Sequence, residues 1–140
     1  MVETQVDSLN RTVQKTHEWL MELSKEEGLM GEEQAYSALR GVLQALRDRL
    51  TVDEAAHLGA QLPMLVRGIY FEGWRPADSP SRERTREDFL EAVLHKMHRD
   101  DIDADRACRA SFALLTRKIT EGELDDVRHM LPEPIRELWP

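Results

Sequence analysis

Residues 130–140 read MLPEPIRELWP, and residues 61–71 read QLPMLVRGIYF. Both hold a Leu-Pro pair, an arginine four residues after the proline and an aromatic ring three residues after that: Pro63, Arg67 and Tyr70 against Pro132, Arg136 and Trp139. The offset between them is 69 residues, and it runs backwards without a gap, laying 35–70 on 104–139. Ala35, Ala38, Arg40, Leu46, Thr51, Glu54 and Leu62 all meet identical residues. Core-type pairs complete the match: Leu43 with Phe112, Leu50 with Ile119, Leu58 with Val127, Val66 with Ile135, and Ile69 with Leu138. Unrelated helices match in their apolar faces but seldom in their caps, so the register of threonine, glutamate, proline and arginine reads as an internal duplication. Trp19 with Phe89 and Leu20 with Leu90 pair at an offset of 70, which places one extra residue in the first interhelical loop of the first copy.

Apolar residues recur throughout at steps of three and four, the helical period, and strand signals are nearly absent. Leu9, Val13, Thr16, Leu20 and Leu23 predict a first helix over about Ser8 to Glu26 that ends at Gly28. Ala35, Leu39, Val42, Leu43, Leu46 and Leu50 mark the inward face of a second. Thr51 with Glu54 and Thr120 with Glu123 each form a capping box, in which threonine and glutamate bond each other's backbone N–H. The helix after Thr51 points Ala55, Leu58 and Leu62 inward, and Pro63 opens a fourth that Gly73 terminates. Residues 73–84, GWRPADSPSRER, have linker composition. Beyond them Thr85 starts a helix carrying Phe89, Leu90, Val93, Leu94 and Met97. Asp103 caps the next, whose inward face is Ala104, Cys108, Phe112, Leu115 and Ile119. The expected fold is therefore all-α: two tandem pseudo-symmetric four-helix repeats, 8–72 and 85–140, behind a tail at 1–7, packed into one helical domain. About seventy residues bury too little alone, so the two units are expected to pack on each other.

The composition narrows the function classes. Twenty-seven acidic residues against nineteen basic give a net charge of −8, which disfavours nucleic acid, whose phosphates need a clustered basic surface. Arg82 to Arg86 is the nearest such cluster, and Glu87 with Asp88 adjoins it. The longest apolar run, Leu62 to Val66, is far too short to span a bilayer. No basic-then-apolar leader opens the chain, so the expected location is cytoplasmic. Cys108 is the only cysteine; it excludes internal disulfides and reads as a small core residue.

AAHLGAQLPMLVRGIYFEGW at 55–74, LPEPIRELW at 131–139 and the capped helices before each resemble the bacterial family called domain of unknown function 2267. The resemblance runs from about Thr16 onward through the pattern QLPxLxRGxYxEGW. It implies an all-helical duplicated fold and brings no activity or catalytic residues with it.

No catalytic constellation emerges from the residues themselves. The glycines are isolated, and neither a phosphate loop nor a nucleophile elbow is present. His95 and His98, with Asp100, Asp101 and Asp103 beyond, share a helix face but lack the H-E-x-x-H pattern, and near a helix C-terminus they complement the macrodipole. No cofactor or metal is expected. Arg67 and Arg136 are the leading polar candidates, either as cations for an anionic ligand or as structural side chains paired with Asp53, Glu54 or Glu123. Tyr70, Phe71 and Trp74 are core aromatics or, where exposed, partner anchors. The favoured class is a non-enzymatic protein-interaction or regulatory module whose partner is another protein or a second copy. The alternative is a sensor binding an anionic ligand or nucleotide between the repeats.

Overall fold

Short polar side chains decide where four of the helices begin. The side chains of Thr51, Thr85, Asp103 and Thr120 accept the backbone N–H of Glu54, Asp88, Arg106 and Glu123, at 3.1–3.4 Å, satisfying donors that have no partner inside the helix. The computed structural model describes residues 4–26, 29 and 31–140. Among these the helices are α1 (Asp7–Leu23), α2 (Glu32–Arg49), α3 (Val52–Ala60), α4 (Met64–Phe71), α5 (Arg86–Met97), α6 (Ala104–Lys118), α7 (Glu121–His129) and α8 (Glu133–Arg136). A 3-10 turn, Pro76–Asp78, lies between α4 and α5, and there is no strand among the described residues. The protein is all-helical.

Three expectations change. The first helix stops at Leu23, where the Ser24 hydroxyl donates to the carbonyl of Met21 and its N–H to that of Leu20; the terminator read at Gly28 lies outside the described residues. Of the α1 stripe only Thr16, Leu20 and Leu23 are buried, while Leu9 and Val13 are 41% and 45% exposed, because the N-terminal half of α1 has only the short α4 beside it. Leu94, likewise read as inward, is on the surface of α5. The capping boxes form by halves: each threonine caps its helix, but the Glu54 and Glu123 carboxylates return no bond to it.

The centre of the molecule is α2, which packs against α1, α4, α5 and α6. Ala35, Ala38, Leu39, Val42, Leu43 and Leu46 supply its buried face. At Gly41 it comes so close to α5 that a Cβ would stand 2.3 Å from Met97 Cγ and 2.9 Å from the Val93 carbonyl. α1 crosses α6, and α3 lies on α7. One cluster of buried apolar side chains runs through all of this, from Trp19 to Trp139. The linker is tied down as well: Ser81 donates to the carbonyl of Asp48, and Arg49 to that of Glu83, both at 2.7 Å.

Several bonds recur 69 residues apart. Arg67 donates Nε to the carbonyl of Gly59 and Nη2 to that of Leu62, each at 2.9 Å. Arg136 does the same to Arg128 and Leu131, at 3.2 and 2.9 Å. Across the α3–α7 contact, Thr51 donates to Met130 Sδ and Thr120 to Gln61 Oε1.

Cys108 sits fully buried on α6, and burial drives its thiol pKa well above the ordinary value. A thiolate is the reactive form, so native protein should leave a disulfide reagent such as Ellman's essentially unconsumed. One equivalent per chain should react in denaturant; rapid labelling of the native protein would show that α6 opens locally.

Candidate functional site

The polar feature that stands apart is at the α3–α7 contact. Both helices start on a capping threonine, which fixes their first turns and places Glu54 and Glu123 at the third helical position. α3 and α7 face each other there, so the two glutamates meet. Glu54 is 5% exposed and Glu123 9%. Oε2 of each is buried and receives no N–H or O–H from the backbone or another type of side chain. The one hydrogen bond open to the pair is a proton shared between them. Burial first, then that bond and the charges of Glu123 and Asp126, push the Glu54 carboxyl up to about 8, with His57 opposing. His57 lies one turn after Glu54 on the same face and is exposed. Ligating atoms of Glu54, His57 and Glu123 all lie within 4.8 Å of one another, the single such group of three among the described residues. Chemically, this set could hold a proton between carboxylates or a cation among two oxygens and an imidazole nitrogen.

Arg67 and Arg136 stand elsewhere. Each lies across the end of its own helix pair and spends its donors on carbonyls left over where α3 and α7 stop. Neither forms an ion pair with Asp53, Glu54 or Glu123. Tyr70 is fully buried, its hydroxyl donated to the carbonyl of Ala55 at 2.8 Å. Phe71 is half-buried, edge-on to Tyr70 with centroids 4.9 Å apart, and stacked on Trp74 at 5.4 Å. It fills the space over Gly59, where a Cβ would come within 2.5 Å of its ring. The Trp74 indole N–H donates to Ser79 Oγ at 3.1 Å. His95 and His98 meet edge to face at the end of α5, centroids 6.2 Å apart, where His98 takes a left-handed conformation (φ 56°).

A second feature lies along α1. Leu9 and Val13, with Leu65 of α4 at 42% exposure, floor a groove of about 790 Å³ edged by Asp7, Arg11, His17 and Glu32. His17 Nδ1 and Glu32 Oε1 are 2.5 Å apart across its end, and the Leu65 N–H donates to Thr12 Oγ1 at 2.9 Å, pinning α4 to α1.

The grouping of Glu54, His57 and Glu123 was not read from the sequence, and neither was Arg47. Arg47 is 1% exposed, with Nη1 donated to the carbonyls of Tyr70 and Glu72 at 2.8 Å. A signal existed for both. Arg47 stands four residues after Leu43, on the apolar stripe of α2, where a charge needs an internal partner. Glu54 and Glu123 occupy matching positions of the duplication, and matched residues on facing helices meet when the copies pack back to back.

The model of one family, described as "Uncharacterized conserved protein (DUF2267)", matches residues 16–138. No curated protein matches the chain.

Proposed function

The chain belongs to the DUF2267 family, and from that premise we propose that it is a non-enzymatic interaction module, regulatory in role and cytoplasmic. In this reading two four-helix repeats, 8–72 and 85–140, joined by the linker 73–84 and related by an approximate two-fold, present the α1–α4 groove to a basic amphipathic helix of another protein. The observation that carries it is the uncovered apolar floor of that groove, Leu9, Val13 and Leu65. A stripe of that kind beside polar edges is how helix-in-groove recognition is built. A basic occupant follows from the net charge of −8, since a second copy would bring the same charge to the contact. The alternative, an anionic ligand or nucleotide held at Arg67 and Arg136 beside Tyr70, Phe71 and Trp74, has less behind it. Both guanidinium groups already bond carbonyls, and Tyr70 has no exposed surface.

Because Val13 is exposed, Val13→Glu should leave the unfolding free energy within about 0.5 kcal/mol of the parent. A photo-crosslinking residue at Val13 in cells, with one at Glu91 of α5 as control, tests the occupant. Mass spectrometry should find the crosslinked segment to be a basic amphipathic helix of a different protein, and Leu9→Glu should abolish it. Crosslinking no stronger than at Glu91, or to a second copy of the chain, would overturn the reading.

A further inference from the structure

We propose that Glu54, His57 and Glu123 form a binding site for a divalent cation of the zinc class at the α3–α7 contact, separate from the α1–α4 groove. The carboxylates supply the first argument. Two buried acids face each other with an unpartnered oxygen each, and no lysine or arginine is among the groups acting most strongly on Glu54. Buried charges are ordinarily paired or coordinate a metal. The nearest basic side chain in sequence, Arg128, is engaged with Asp125 at 2.6 Å and lies over the Trp139 ring. The pair therefore lacks a counter-charge from the protein, and a dication would supply one.

Geometry supplies the second. Zinc binds carboxylate oxygen and imidazole nitrogen at about 2.0–2.2 Å, so two ligands of one ion stand at most about 4.4 Å apart. The observed limit of 4.8 Å needs a closure of a few tenths of an ångström, within reach of small side-chain rotations. The ligands come from two helices, with Glu54 and His57 one turn apart on α3 and Glu123 opposite on α7. Asp126, one turn after Glu123, adds negative field from the second helix. His57 is at the surface, which gives the ion an entry path, while the carboxylates sit behind it.

The donor set indicates the ion. An imidazole nitrogen argues against magnesium and calcium, which take oxygen ligands. The absence of a thiolate from the set argues against monovalent copper. Two carboxylate oxygens with one imidazole suit zinc and its neighbours, with the fourth tetrahedral position left to water.

Calorimetric titration of the full chain with Zn²⁺ is expected to show one saturable site per chain and a rise in melting temperature that EDTA reverses. Co²⁺ in its place should give the visible absorption of a four-coordinate site. His57→Ala and Glu123→Gln should each weaken Zn²⁺ by more than the roughly 10–100-fold typical of losing an outer-shell partner. Both variants should stay folded, since His57 is exposed and a glutamine amide can donate to the remaining carboxylate; circular dichroism and melting check this. His98→Ala should bind as the parent does. No saturable Zn²⁺ binding, binding that survives His57→Ala combined with Glu123→Gln, or equal affinity for Mg²⁺ and Ca²⁺ would each overturn the site.

Discussion

Trp139→Ala is expected to destabilise the protein by about 3–5 kcal/mol, which for a chain of this size lowers the melting temperature by roughly 10–20 °C. The ring is stacked on Phe112 of α6, centroids 4.1 Å apart and planes 3° from parallel, with the Arg128 guanidinium 5.6 Å from its centre. Truncation thus removes a large apolar area, an aromatic stack and a cation–π contact together. The indole N–H is buried without an acceptor, so Trp139→Phe, which loses no hydrogen bond, should cost far less than Trp139→Ala. Deleting 134–140 goes further, since Ile135 and Leu138 are buried as well and the Arg136 bonds to the end of α7 disappear. That variant should not fold cooperatively. Deleting 1–6 should leave the melt unchanged, because Thr4, Gln5 and Val6 are exposed. A 134–140 deletion that melts with the intact chain would show that α8 does not close the second half.

What the sequence disclosed and what it hid divide along physical lines. Caps are local: a threonine or aspartate acts on an N–H three residues away, so Thr51, Thr85, Asp103 and Thr120 were readable with no knowledge of the fold. Apolar stripes were readable where a helix is covered along its length, as on α2 and α6. Periodicity reports that a face is apolar, and what covers that face depends on the neighbouring helix. Leu9 and Val13 continue the stripe of Leu20 and Leu23, yet the short α4 leaves them open. The capping-box rule failed for the same reason in reverse. It assigns glutamate to its own helix end, whereas the facing helix gives Glu54 and Glu123 a different neighbour, each other. Arg67 and Arg136 were visible as a pair in the duplication; that their donors go to carbonyls rather than to acids depended on the lengths of α3 and α7.

Arg47→Ala is expected to cost about 3–5 kcal/mol, as breaking one side of a buried charged network does. Arg47 has no equivalent in the second copy, where Thr116 occupies the matching position. It closes the first copy by a route the second lacks: Nη1 holds the carbonyls of Tyr70 and Glu72 at the end of α4, while Nε and Nη2 hold Asp48, each at 2.8 Å. Asp48 keeps Lys96 at 3.4 Å after the substitution, so the greater loss is at the carbonyls, which would stay buried with no donor. Arg47→Met separates the contributions: it restores volume and restores no hydrogen bond, so it should recover only part of the loss. Arg47→Lys keeps the charge but replaces the planar fork with one ammonium, and should fall between parent and alanine. Hydrogen exchange locates the effect: the amides of Glu72 and Trp74, bonded to Gly68 and Phe71, should lose protection before those of α6. Uniform loss across both halves would mean that Arg47 supports the whole core, and an unchanged melt would mean that water reaches those carbonyls.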